Sequence, residues 1–441
     1  MTPHKYFIVT ATAPVNIAVI KYWGKRDEVL ILPLNDSVSF TLSQDQLCAT
    51  TTACISPAFT NDAFWLNGKE ESLENPRIQN CLKEIRRRAK ESCSSCGSED
   101  DITSWPVHIC SANNFPTAAG LASSAAGYAA MVVAVAEVYG VSGGDLSVAA
   151  RQGSGSACRS VLGGIVRWYK GEQLDGSDSV ARQVAPPDHF GELHAILCVA
   201  SGRRKKTGST EGMRRCVKTS LVMNMRLTST VDARTKNIVK AIAEKDWSSF
   251  CDLTMSDSQE MHAACLTASP PVVYMTDTSH AVVELVHEYN RVVVKEGQPQ
   301  LKICYTFDAG PNACLFVPAA AVGQVMSLLL KVFPPSDHCT LDTYLRGLPC
   351  PTPQLIPSLE AVSLDLINNF HSANSPAGIK LQYFMHTTVG EGPRVIAKES
   401  HNNKPSEVPK SSDVSNTSGA TPSCHLIDPL TGAPIFGPAV S

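Results

Sequence analysis

Asn113-Asn114-Phe115-Pro116-Thr117-Ala118-Ala119-Gly120-Leu121-Ala122-Ser123-Ser124-Ala125-Ala126-Gly127 is the stretch on which the reading of this chain turns. Proline, threonine, small residues and glycine come first, then two adjacent serines, and an Ala-rich helix is predicted to run from Ala119 to about Tyr139. Glycine lets the backbone turn tightly, small side chains let an anion reach the amides, and the free N–H groups at a helix start attract negative charge. The run lacks the Gly-Lys-Ser/Thr of a Walker A loop and the G-x-G-x-x-G of a dinucleotide fold. It therefore points to a phosphate cradle outside the two commonest nucleotide-binding classes.

Working outward, 441 residues predict two or three domains, and 43% hydrophobic with 18% charged residues describe an ordinary globular chain. A formal net charge of −3 argues against nucleic acid as a partner, so anion binding has to come from local clusters such as Arg203-Arg204-Lys205-Lys206. No apolar run reaches membrane-spanning length, since Ala129–Ala136 is short, and Met1–Tyr6 has no secretory pattern. The sixteen cysteines are scattered, several within apolar runs (Cys198, Cys304, Cys314), which fits reduced thiols in a cytosol-like compartment. Cys93-Ser94-Ser95-Cys96 has no second pair at zinc-site spacing, so no structural zinc is expected.

Strands are predicted at Phe7–Val15 continuing through Ile17–Tyr22, at Val107–Cys110, Ile165–Lys170, Leu193–Ala200, Leu301–Phe307, Ala313–Val317 and Leu381–Thr388. Pro76–Ser92 reads as an amphipathic helix buried through Ile78, Cys81, Leu82, Ile85 and Ala89, and further helices are expected near Ile238–Lys245 and His280–Arg291. The mixture makes the class α+β, with a boundary near Ala185-Pro186-Pro187-Asp188. Expected units are 1–190, 191–397 and a mostly disordered, Ser-, Asn- and Lys-rich tail over 398–441.

Four further segments carry candidate chemistry. Asn16-Ile17-Ala18-Val19-Ile20-Lys21-Tyr22-Trp23-Gly24-Lys25 puts two lysines beside an apolar strand, which suits either a cleft or a solvated strand end. Gly153-Ser154-Gly155-Ser156-Ala157-Cys158-Arg159 offers hydroxyls, flexible amides and a guanidinium to a diphosphate, the alternative being a plain connector. Phe307-Asp308-Ala309-Gly310-Pro311-Asn312 sets a carboxylate at a strand end, as a general base or as a turn-forming residue. Arg77, in the first turn of its helix, is disfavoured by the helix dipole; an anionic ligand or a surface ion pair accounts for it. Gly208-Ser209-Thr210-Glu211-Gly212 is a hydroxyl-bearing loop or a turn, and His262 and His287 read as core or surface residues.

Taken together, these segments resemble the mevalonate diphosphate decarboxylase family of the GHMP kinase superfamily, over most of residues 7–345, with Tyr305–Ala313 similar to its catalytic-aspartate motif and Asp428-Pro429-Leu430-Thr431-Gly432 to its ending. The wording drifts over Ser256–Thr267, and Cys93–Asp101 looks like a loop variant. The resemblance implies the GHMP-kinase fold: an N-terminal domain like domain 2 of ribosomal protein S5, a ferredoxin-like C-terminal domain, and a site in the cleft between them. It implies ATP-dependent decarboxylation of mevalonate 5-diphosphate to isopentenyl diphosphate in isoprenoid and sterol synthesis, with ATP and Mg²⁺.

In that scheme Asp308 and Lys21 are catalytic. Asn16, Tyr22, Trp23, Gly24, Lys25, Arg77, Ser154, Gly155, Ser156, Ala157, Cys158, Arg159 and Thr210 hold the substrate. Ala119, Gly120, Leu121, Ala122, Ser123 and Ser124 hold the ATP phosphates, with Ser124 nearest Mg²⁺. The resemblance also implies a homodimer, with no membrane and no nucleic acid as partner. The cytosol is the default address, and Ser39–Leu47, which resembles an internal peroxisomal signal, offers the alternative. Two rivals share the same cradle: a related GHMP small-molecule kinase that phosphorylates without decarboxylating, and a non-catalytic ligand sensor.

Overall fold

The computed structural model describes residues 5–93, 101–114, 123–141, 145–202, 205–336, 338–349, 355–371, 378–401 and 425–435. Alternating apolar residues build three main sheets. A six-stranded sheet runs in the order Arg394–His401, Tyr6–Pro14, Cys48–Ile55, Val107–Asn113, Ala63–Leu66, Lys69–Glu70. A four-stranded sheet runs Ala181–Ala185, Ile165–Trp168, Ser37–Thr41, Asn16–Ile20. The second half of the chain contributes a five-stranded sheet, Cys304–Phe307, Ala313–Pro318, Leu193–Val199, Tyr383–Thr388, Leu345–Gly347, antiparallel except for its last pair.

The Ala-rich helix is described from Ser123 to Val138 and packs on strands Tyr6–Pro14 and Cys48–Ile55. Its small side chains let it lie close to the sheet, and apolar residues all round it are buried, as expected of a helix covered on several sides. Residues 119–122, assigned to the phosphate cradle, lie outside the described residues. The helix Pro76–Cys93 buries the predicted stripe, with Cys81, Leu82 and Ile85 at most 1% exposed.

Several elements differ from the sequence expectation. The helices Ser209–Thr219, Trp247–Leu266, Val322–Val332 and Pro357–His371 and the strands Ser37–Thr41 and Cys48–Ile55 are not anticipated. The buried positions of Trp247–Leu266 include Thr254, Asp257, Ser258 and His262, so its inward stripe is part polar and gives no hydrophobic period. The strand expected from Leu301 begins at Cys304, because Pro299–Leu301 forms a single 3₁₀ turn. The tail expected to be disordered from Lys398 has its first four residues in a strand: Arg394–His401 is the edge strand of the six-stranded sheet, pairing with Tyr6–Thr12, and residues 402–424 lie outside the described residues. Further on, residues 425–435 lie against the same sheet, where His425 Nδ1 is 2.7 Å from Thr10 Oγ1 and Ile427 is buried with Ile8, Cys54 and Cys110.

The helix Trp247–Leu266 packs on both Asn16–Ile20 and Cys304–Phe307, which belong to different sheets. It thus forms the seam between the two halves. Ser39, Leu42 and Leu47, in the segment resembling a peroxisomal address, are fully buried, so a receptor could read it only before folding.

Candidate active site

A cavity of about 640 Å³ opens along that seam. Its wall takes Asn16, Lys21, Tyr22, Trp23 and Lys25 from the first strands and Arg77 from the helix start. Ser123 and Ser124 come from the Ala-rich helix, Ser154, Gly155, Ser156 and Arg159 from the Gly/Ser turn, and Thr210 and Asp308 from the second half. Gly24, Ala157 and Cys158 lie off the wall. Gly24 has φ +104° and a Cβ there would come within 2.8 Å of Leu34, so it shapes the turn that presents Lys25. Ala157 and Cys158 are fully buried behind the turn.

The pair at the centre joins the halves. Lys21 Nζ donates to Asp308 Oδ1 at 2.5 Å, with the lysine side chain 3% and the aspartate 30% exposed. Asp308 follows the strand Cys304–Phe307, and Asn312, at the end of its turn, accepts the N–H groups of Ala200 and Ser201 at 2.9 and 3.0 Å. Thr306 Oγ1 donates to Ala18 O at 3.0 Å, tying that strand to the one that carries Lys21. The Asp therefore sits on a pinned turn and faces a charge partner.

Arg159 is the clearest anion seeker. It is 1% exposed, and its guanidinium donates to Asn16 Oδ1, Ser39 Oγ and Ser37 Oγ at 3.2, 2.9 and 2.5 Å. Among the described residues no carboxylate pairs with it. Burial lowers its pKa, an indication of how much a buried cation gains from an opposite charge. Asn16 is itself oriented, its amide donating to Ser160 Oγ at 2.7 Å and Ser156 O at 3.0 Å. The Tyr22 hydroxyl is buried and has no hydrogen-bond partner among the described residues, and burial raises its pKa. A Cβ on Gly155 would stand 2.6 Å from the Tyr22 ring, so only glycine lets the turn approach it. An orphaned donor beside a buried guanidinium suits phosphate oxygens.

Arg77 donates to Thr210 Oγ1 at 3.3 Å, so the two meet across the cleft rather than Arg77 meeting a surface carboxylate. Lys25 bonds Glu28 at 2.9 Å at the cavity rim. Ser124 Oγ lies 3.4 Å from Ser154 Oγ, which brings the helix start and the Gly/Ser turn to one spot. No group of three metal-binding His, Cys, Asp or Glu side chains occurs among the described residues. A divalent cation here fits best when carried on phosphate oxygens, with a hydroxyl such as Ser124 alongside.

Sequence reasoning names Lys205 only as part of a basic run. Lys205 Nζ donates to Ala309 O at 2.9 Å and Ser209 Oγ at 2.7 Å on the cavity wall, and burial lowers its pKa. Its signal was the basic run's place just before Gly208-Ser209-Thr210. The packing residue His262 is buried and its pKa is pushed down to about 4 by desolvation, then by Lys21, so the ring is neutral.

Two family models match the chain: the diphosphomevalonate decarboxylase-like N-terminal domain over residues 13–181 and the mevalonate 5-diphosphate decarboxylase C-terminal domain over residues 195–396. The chain is 49% identical over 397 residues to the diphosphomevalonate decarboxylase of Rattus norvegicus, covering 89% of this chain and 94% of that protein. A 2.3 Å crystal structure of a mevalonate 5-diphosphate decarboxylase aligns with TM-score 0.76 and 38% identity, over 97% of this chain and all of the other. A structure of the protein MDDEF in complex with MVAPP, AMPPCP and magnesium aligns with TM-score 0.63 and 28% identity, over 89% of this chain and 99% of the other.

Proposed function

The chain belongs to the diphosphomevalonate decarboxylase family, with its GHMP-kinase fold, and we propose that the Lys21–Asp308 pair is its reacting centre. It is an ATP-dependent decarboxylase that converts mevalonate 5-diphosphate to isopentenyl diphosphate, ADP, phosphate and CO2. A tertiary hydroxyl leaves poorly, and phosphorylation turns it into a good leaving group. Loss of phosphate then puts positive character beside the carboxylate, which departs as CO2.

Asp308 keeps one oxygen on Lys21 and offers the other to the C3 hydroxyl proton as general base. Lys21 adds positive charge where the phosphoryl group moves, in a nearly water-free position. Arg159, Tyr22, Ser154 and Ser156 face the substrate's diphosphate, with Asn16 orienting Arg159. Arg77, Lys25 and Thr210 close the other side of the cavity on the substrate's anionic groups. Gly24 shapes that wall from behind, as do Ala157 and Cys158. ATP phosphates meet the Ala119–Ser124 run, with Ser123 and Ser124 on the cavity wall. Mg²⁺, when bound on those phosphates, neutralises developing charge, with the Ser124 hydroxyl at hand.

The observation that carries this assignment is the 2.5 Å contact between side chains 287 residues apart, inside a cavity whose buried Arg159 meets no carboxylate among the described residues. Purified protein given mevalonate 5-diphosphate and ATP should release CO2 and ADP in equal amounts. ADP without CO2 would move the chain to the kinase reading. We also propose a cytosolic homodimer. The twelve cysteines whose side chains are described are free thiols, which suits a reducing compartment, and sedimentation at micromolar concentration checks the dimer.

A further inference from the structure

Beyond the groups that face substrate, a cluster of buried charge lies behind Lys21. Asp257 is fully buried on the helix Trp247–Leu266. Its Oδ2 accepts the main-chain N–H of Lys21 at 2.7 Å and Arg226 at 3.0 Å, and its Oδ1 accepts Arg226 at 2.7 Å and Arg234 at 3.0 Å. Arg226 also donates to the Lys21 carbonyl at 3.3 Å, joined there by Asn35 at 3.0 Å. Glu260, one turn on, completes the set with Arg226 at 3.0 Å and Arg234 at 2.7 Å. Two carboxylates and two guanidiniums balance, so this cluster needs no ligand, yet both main-chain groups of Lys21 end on it.

The next residue of the same helix reaches the other member of the pair. Ser258 Oγ accepts the N–H of Phe307, the residue before Asp308, at 2.9 Å. One turn further, His262 sets its ring edge-on against Phe307, with centroids 6.0 Å apart and planes at 89°. Adjacent helical positions point about 100° apart, so a single rigid helix can grip two different strands at once.

We infer that the helix Trp247–Leu266 is the gauge that sets the Lys21–Asp308 distance, with Asp257 and Ser258 as positioning residues for the reaction. The gauge rests on the assignment of Lys21 and Asp308 as the reacting pair. It works because a misplacement of about 1 Å at a reacting centre costs on the order of 10²-fold in rate. Without it, the pair would depend on how two large halves happen to settle against each other. With it, the first-half lysine and the second-half strand are measured from neighbouring residues of one element.

The test is Asp257→Asn and Ser258→Ala, each made in the parent and in a Lys21→Met background, with kcat and both KM values measured. Asp257→Asn keeps the shape and one acceptor oxygen. It should lower kcat about 10²-fold, and Ser258→Ala about tenfold, with both KM values within about threefold of the parent. The KM values hold because Arg159, Tyr22 and Ser154 sit on first-half elements. Added to Lys21→Met, Asp257→Asn should lower the residual turnover by less than about threefold, since its effect runs through the missing side chain. A general scaffold role would instead multiply the losses. Parental kcat in Asp257→Asn, or multiplied losses, overturns the gauge. If Asp257→Asn does not fold, Ser258→Ala decides alone, and parental kcat there overturns it too. Lys21→Met by itself reports on the underlying assignment: parental turnover removes the reacting pair and the gauge with it. An inactive Lys21→Met beside a fully active Asp257→Asn removes the gauge only.

Discussion

Two regions beside the cavity bury arginines, and they do so for opposite ends. Around the Gly/Ser turn, Arg159 is 1% exposed and bonded to two serines and an asparagine, with no carboxylate among the described residues. Behind Lys21, Arg226 is fully buried and locked to Asp257 and Glu260. Removing a charge from water costs several kcal/mol unless an opposite charge replaces the lost hydration. The second region is internally neutral. The first is neutral only when an anion arrives. Beside the cavity, the charge that the fold has already balanced is framework, and the open charge of Arg159 is where we place a ligand; Arg151, also fully buried without a carboxylate partner among the described residues, lies off the cavity wall and donates to the Gly176 and Ser179 carbonyls instead.

The largest expected effect lies at the seam where the two regions meet. Asp308→Asn should cut kcat by about 10³–10⁴-fold, about 4–5 kcal/mol, while nucleotide affinity stays near the parent's, because the base is lost and the cradle is not. Turnover within tenfold of the parent, in a steady-state CO2 assay, would falsify the role given to Asp308. Next comes the balanced cluster. Arg226→Met leaves Asp257 and Glu260 with one cation fewer in a dry site, and should lower unfolding free energy by about 3–5 kcal/mol in a urea titration. A loss under about 1 kcal/mol would mean the cluster is not framework.

The open cradle should respond differently. Arg159→Lys keeps the charge but loses the planar fork, so KM for mevalonate 5-diphosphate should rise about 10–100-fold with a small change in stability. A thermal shift on adding the diphosphate should shrink in step. A variant whose stability falls and whose KM holds would put Arg159 with the framework instead.

The smallest effect is acid sensitivity at the same seam. His262 titrates at about 4 in the fold, against about 6.5 unfolded. Its folded pKa is depressed, so the unfolded chain binds the proton first. The contribution to stability is complete above about pH 6.5 and is lost as pH falls toward 4. Between pH 7 and 5 the parent should lose about 1–2 kcal/mol more than His262→Asn, measured by urea unfolding at each pH. Equal losses would show that the ring titrates freely.

The contrast also accounts for what could be read in advance. The cradle is built from local devices: a glycine at φ +104°, a small turn that must pass 2.6 Å from a tyrosine ring, serines at a helix start. Such devices leave a local trace, and most residues proposed from them line one cavity. Gly24, Ala157 and Cys158 entered with their motifs and turn out to shape the wall from behind, because a motif records backbone geometry as well as contact. The helix Trp247–Leu266 left no such trace. Its inward positions hold Asp257, Ser258 and His262, which break the apolar period by which a buried helix is recognised. The edge strand Arg394–His401 was hidden for a related reason: its partly exposed residues alternate weakly and its partner lies at the other end of the chain.

The amino-acid order alone determined the chemistry on offer: a run of small residues and glycine ahead of two serines, a guanidinium in a serine-rich loop, an aspartate at a strand end, a lysine beside an apolar strand. Only the tertiary structure decided that Lys21 and Asp308 touch, that Arg159 meets no carboxylate among the described residues, and that one polar-faced helix bonds the main chain beside both. The physical reason is range. Turns and caps are settled by neighbours along the chain, whereas buried polar contacts between residues hundreds of positions apart exist only once packing has excluded water and made each unpaired charge expensive.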